Sequence, residues 1–150
     1  MIEKETIKGI INDFIPGSGI FLVGVKVSAT NRITVLADKK EGITIDECVA
    51  LHRFIESKLD REVEDYDLEV SSPGLNAYFT VIEQYYKNEG KKIEVTDTEG
   101  TKYSGILKNV TNGGFELETQ VKVKGKAREL KELSFNFEKV KTARVILLIK

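Results

Sequence analysis

The chain has 150 residues, 41% of them hydrophobic, which is enough for packed cores and too many for a disordered chain. One cysteine and one histidine exclude a disulfide framework and a Cys/His metal cluster. The net charge of −1 conceals a division: residues 1–72 hold nine Lys/Arg against fourteen Asp/Glu, whereas residues 73–150 hold fourteen against ten.

Ile7, Ile10, Ile11, Phe14 and Ile15 recur at helical spacing and predict an amphipathic helix over residues 2–15. It carries acids and lacks the apolar core of a signal peptide. Pro16-Gly17-Ser18-Gly19 ends it. Residues 20–27 form an apolar run that passes into alternation, a strand with a buried start. A tight turn at 29–32 leads to a returning strand at 33–38, making a hairpin.

A solvated loop at 39–42 precedes a helix at 46–60. Its start has two readings, Asp46 as N-cap or Thr44 and Glu47 as a capping box. Cys48, Leu51, His52, Ile55 and Leu59 share the face turned to the hairpin. His52 has no second histidine and no nucleophile in a recognisable motif, so it reads as a structural residue. Cys48 reads as a small hydrophobe. Residues 66–70 alternate and predict a third strand. The order helix-strand-strand-helix-strand describes a small α+β domain over residues 1–72.

Leu68-Glu69-Val70-Ser71-Ser72-Pro73-Gly74-Leu75 then stops the strand and turns the chain. Pro73 pushes Ser72 into extended backbone, and Gly74 is free to take a positive φ. Ser71 and Ser72 carry hydroxyls able to bond nearby backbone and stiffen this interdomain junction.

Beyond it, Phe79, Ile82, Tyr85 and Tyr86 predict a short helix within residues 76–88, beginning near Thr80 with Thr80 and Glu83 as a capping box. The remainder is strand and turn: 92–97, 102–110 with Gly105 at a bend or bulge, 115–119, 130–137 and 140–149. Five short strands led by a short helix predict a small closed SH3-like or Sm-like β-barrel over residues 73–150. Between two of them, Lys122, Lys124, Lys126 and Arg128 alternate with Val121 and Val123, so an extended segment places the four cations on one face. That ridge is a candidate phosphate-binding surface. No P-loop, dinucleotide fingerprint, nucleophile elbow or zinc helix motif occurs. The longest apolar run, 145–149, is too short to span a bilayer.

The segments Leu22-Val23-Gly24-Val25, Asp38 with 41–48, and above all Tyr66-Asp67 followed by Leu68 to Leu75 resemble the ribosome maturation factor RimP family over the whole length. The resemblance implies an N-terminal KH-like domain and a C-terminal Sm-like barrel. It implies an assembly factor without catalysis; the lone cysteine and the lack of a signal-peptide core or spanning run predict a cytoplasmic protein, expected to be a monomer without cofactor or membrane contact. Its expected partners are the small ribosomal subunit precursor, a basic small-subunit ribosomal protein and rRNA. Two departures stand out. Where members commonly continue Asp-Arg-Pro-Leu, this chain has Asn76-Ala77-Tyr78-Phe79, and the first domain lacks the G-x-x-G loop of KH domains. A free-standing Sm-like RNA-binding regulator is the competing class, and it would act as a ring.

Overall fold

A computed structural model describes residues 1–121, 125 and 129–146. The chain divides into two compact units, Met1–Pro73 and Gly74–Lys150, and the protein is of mixed α+β class.

In the first unit, α1 (Lys4–Phe14) leads to β1 (Ile20–Val27) and β2 (Arg32–Lys39), which pair as an antiparallel hairpin. A β-bulge between Leu22 and Gly24 shifts the register by one residue. Burial consequently falls on Ile20, then on Val23 and Val25, a change of phase that produces the apolar run at the strand's start. α2 (Ile45–Lys58) carries the chain to β3 (Asp67–Ser71), which pairs with β2 in parallel. The sheet order is β1-β2-β3. A parallel return cannot be made by a tight turn, so a crossover element is obligatory, and α2 supplies it. Ile7 and Ile11 of α1, Leu51 and Ile55 of α2, and Ile33, Val35 and Ala37 of β2 are fully buried together. Of the two cap readings, the structure forms the capping box: Glu47 N–H donates to Thr44 Oγ1, and Thr44 N–H donates to Glu47 Oε1.

In the second unit, α3 (Ile82–Lys87) precedes β4 (Lys92–Asp97), β5 (Lys102–Lys108), β6 (Gly114–Val121), β7 (Glu129–Asn136) and, after a 3-10 turn at Phe137–Lys139, β8 (Val140–Val145). All pairings are antiparallel, in the order β7-β6-β5-β4-β8. Among the described residues β7 and β8 are the outer strands of this sheet, joined through the 3-10 turn. Tyr85, Ile93, Val95, Leu107, Phe115 and Leu117 make its core.

The helix here is shorter than its spacing predicts. It starts at Ile82, its N-cap is Val81, and the Gln84 side chain closes its first turn by accepting from the Thr80 and Val81 amides. A Thr80–Glu83 box therefore does not start this helix. Phe79 falls in step with Ile82 and Tyr85 for another reason. Its extended backbone bonds Ala143 O, and its ring meets Tyr85 edge-on at 4.8 Å. A tertiary contact imitates a helical period.

Gly105 lies within β5, where β6 comes close. It pairs with Ile93 of β4, while the β5–β6 ladder runs from Ile106 to Lys108. A Cβ at Gly105 would lie 2.7 Å from Glu118 O on β6, inside any permitted contact. Gly105→Ala is therefore expected to cost about 1–3 kcal/mol, read as a lowered urea midpoint with an unchanged slope.

Candidate partner-binding surfaces

The first turn of α2 is tied down twice. Its capping box holds it to the preceding loop, and Lys39 Nζ at the end of β2 lies 3.0 Å from Glu47 Oε2. The Thr44 amide and then the Lys39 ammonium hold the Glu47 carboxyl below the usual carboxylate range. The Lys39 ammonium is raised in turn by its hydrogen bond to Glu47. One turn further on, His52 bridges α2 to β3. Its Nδ1 lies 3.0 Å from Glu56 Oε1 and its Nε2 lies 3.1 Å from Leu68 O. Both partners are acceptors, so a neutral ring satisfies one of them and a protonated ring satisfies both.

Between these ties lies a cleft of about 500 Å³ on the β3 side of α2. Ile43, Ile45, Val49 and Val70 give it apolar walls, and Ser71 and Ser72 close one end. Ile45 and Val49 are one turn apart and expose 82% and 41% of their surface. The pair forms an apolar patch open to water on a well-capped helix. Cys48 lines the same cleft. Burial, with the nearby Glu47 and Asp38 charges, pushes its thiol pKa up and disfavours the thiolate.

Sequence reasoning missed Asn31, which organises the opposite end of this unit. Its φ of 59° closes the β1–β2 turn. Its Oδ1 accepts the Ile2 amide at 2.9 Å, while its Nδ2 donates to Glu64 Oε2 and to Asp65 O, each at 3.1 Å. An asparagine in a hairpin turn is unremarkable by itself. Its three long-range bonds become visible only in the fold.

The junction residues behave differently from their expected roles. β3 runs through Ser71, and neither the Ser71 nor the Ser72 hydroxyl makes a hydrogen bond among the described residues. Gly74 does not take a positive φ. The turn is closed by backbone, from Ala77 N–H to Gly74 O at 3.0 Å.

In the second unit, the rings of Phe79, Phe115 and Phe137 surround Tyr85 at centroid distances of 4.8–5.1 Å. Burial pushes the Tyr85 hydroxyl up to about 12. A cleft of about 540 Å³ opens over this cluster, with Asn112 and Lys141 among its lining. The four cations of the basic ridge, Lys122, Lys124, Lys126 and Arg128, lie outside the described residues. Their connection leaves β6 at Val121, rejoins β7 at Glu129 opposite it, and contains Gly125, exposed and with a φ of 77°. Among the described residues no group of three or more His, Cys, Asp or Glu is placed to hold a metal ion, and no helix is long and apolar enough to cross a membrane.

Two small cores in one chain, with surface clefts and opposite charge balances, define a bipartite α+β protein. Residues 10–76 match the RimP N-terminal domain family. The chain is 39% identical over 148 residues to the ribosome maturation factor RimP of Porphyromonas gingivalis, covering 95% of this chain and 97% of that one. Its identity to the RimP of Chlorobium luteolum is 32% over 162 residues, covering 91% and 92%. To that of Christiangramia forsetii it is 31% over 131 residues, covering 87% and 81%. The chain belongs to the ribosome maturation factor RimP family.

The depressed Glu47 carboxyl carries a pH signature. A carboxylate whose folded pKa is lowered adds stability above its unfolded pKa of roughly 4.3, and that stability is lost as pH falls through the lower folded value. Glu47→Gln should therefore unfold at lower urea than wild type near neutral pH. The gap should narrow steadily in melts taken from about pH 6 down to about pH 3.

Proposed function

We propose that the protein is a ribosome maturation factor that binds the maturing small ribosomal subunit in the cytoplasm and acts as a monomer without catalysis or cofactor. The observation that carries this reading is the match to ribosome maturation factors along nearly the whole of both chains. In this reading residues 1–72 form a KH-like domain and residues 73–150 an Sm-like barrel. The α-β-β-α-β order over a three-stranded sheet supports the first assignment. The five-stranded antiparallel order, with a 3-10 turn before the last strand, supports the second.

The two charge balances divide the work. The first domain, with a net charge of −5, faces a basic small-subunit ribosomal protein, because phosphate would be repelled from it and a lysine-rich partner attracted. The second, with a net charge of +4, faces rRNA through Lys122, Lys124, Lys126 and Arg128. Ser71, Ser72, Pro73 and Gly74 serve as the junction between them.

Sedimentation of the tagged full chain with salt-washed small subunits tests the reading; recovery of the chain only at the top of the gradient opposes it. Replacing all four ridge cations with alanine is expected to weaken subunit binding at low salt. It should also reduce the slope of log K against log salt by about 3 if each cation meets one phosphate. An unchanged slope removes the ridge from the interface.

A further inference from the structure

We infer that the outer edge of β3, together with the α2 cleft beside it, receives an extended segment of a basic protein as an added strand. The inference rests on the reading above and specifies how the acidic unit engages its partner.

The backbone geometry comes first. Among the described residues β3 is an outer strand of its sheet, paired on one side with β2. In this parallel ladder Asp67 N–H donates to Asn31 O, which fixes the phase: the backbone groups of Asp67, Glu69 and Ser71 face β2. Those of Leu68 and Val70 therefore face outward. Leu68 O lies 3.1 Å from His52 Nε2. The Leu68 amide and both backbone groups of Val70 remain directed along the free edge, the donors and acceptor that an incoming strand needs.

Side chains then specify the occupant. Leu68 and Val70 point to the core face, where the cleft beside α2 exposes Ile45 and Val49. Asp67 and Glu69 point to the other face and are exposed. A strand laid against β3 presents alternate residues to these two faces. Apolar residues on one face fill the cleft, and basic residues on the other meet Asp67 and Glu69. The matching sequence alternates apolar and cationic residues.

The same charges disfavour the other occupants. A second copy of this chain pairing through its own β3 sets Asp67 and Glu69 against like charges. A nucleic acid sets phosphates against them. The strand has only five residues, and its outward carboxylates limit self-association, which is how an edge kept open for a chosen partner avoids aggregation.

The test uses the full chain and an acetylated peptide of alternating valine and arginine. Its controls are the glutamate analogue of that peptide and single-stranded oligouridylate. The arginine peptide should bind and the controls should not. At saturation, amide exchange should slow at Leu68 and Val70 and stay unchanged at Glu69 and Ser71. Ile45→Ser/Val49→Ser, at two exposed positions, should weaken peptide binding by about tenfold with little change in melting temperature. Absence of slowed exchange at Leu68 and Val70, equal binding by the double variant, or occupation of the cleft by oligouridylate overturns the inference. If any of these is found while the wild-type chain still sediments with small subunits, the inference falls and the reading as a maturation factor stands.

Discussion

The parallel pairing of β3 with β2 is the constraint from which the rest of the first unit follows. It demands a crossover, and the crossover must lie on the apolar face of the sheet to bury its own stripe. α2 meets both demands through Leu51 and Ile55. Its position is then fixed by polar ties rather than by more burial. Glu47 answers to Thr44 and Lys39, and His52 answers to Leu68. These ties leave Ile45 and Val49 unburied without loosening the helix. A surface that must remain exposed and still hold its shape is best secured by hydrogen bonds at its margins.

The second unit depends on a different constraint, the close approach of β5 and β6. Gly105 lets β6 approach where a side chain would collide. The aromatic group of Phe79, Tyr85, Phe115 and Phe137 packs together in the core of this unit. Ring pairs in edge-on and stacked arrangements add directional packing to plain burial. They also recruit Phe79 from the segment ahead of α3, so that the leading segment belongs to the core of this unit.

Much of this was legible in the residues. Apolar spacing placed α1, α2 and most of the strands, because burial on one face leaves a periodic trace. The close approach at Gly105 was marked by a glycine inside an alternating run. What stayed hidden was tertiary. The order of strands, and the parallel sense of β3, have no signature within a short segment. Phe79 kept helical step while lying in extended chain, since its partner Tyr85 happens to be six residues away. Gly74 and the hydroxyls of Ser71 and Ser72 suggested a locally braced turn, whereas the backbone bond from Ala77 to Gly74 closes it. The α2 cleft was legible only as one helix face. Its exposed flank at Ile45 and Val49 depends on where β3 ends beside it.

The charge division has a consequence that neither unit has alone. In the proposed role, a strand of five residues with one cleft would offer a small contact area, and four cations meeting phosphate would offer affinity that falls steeply with salt. Each by itself suits a transient encounter. Carried on one chain, the second contact forms at the effective concentration set by the first, so two weak sites act as a strong one when both targets are within reach. In that role the pairing would also confer selectivity. A particle that presents rRNA without an accessible basic segment, or the reverse, would engage only one site and release the chain quickly. In the proposed role, binding would then report that protein and rRNA are present together, a condition met only during a window of assembly.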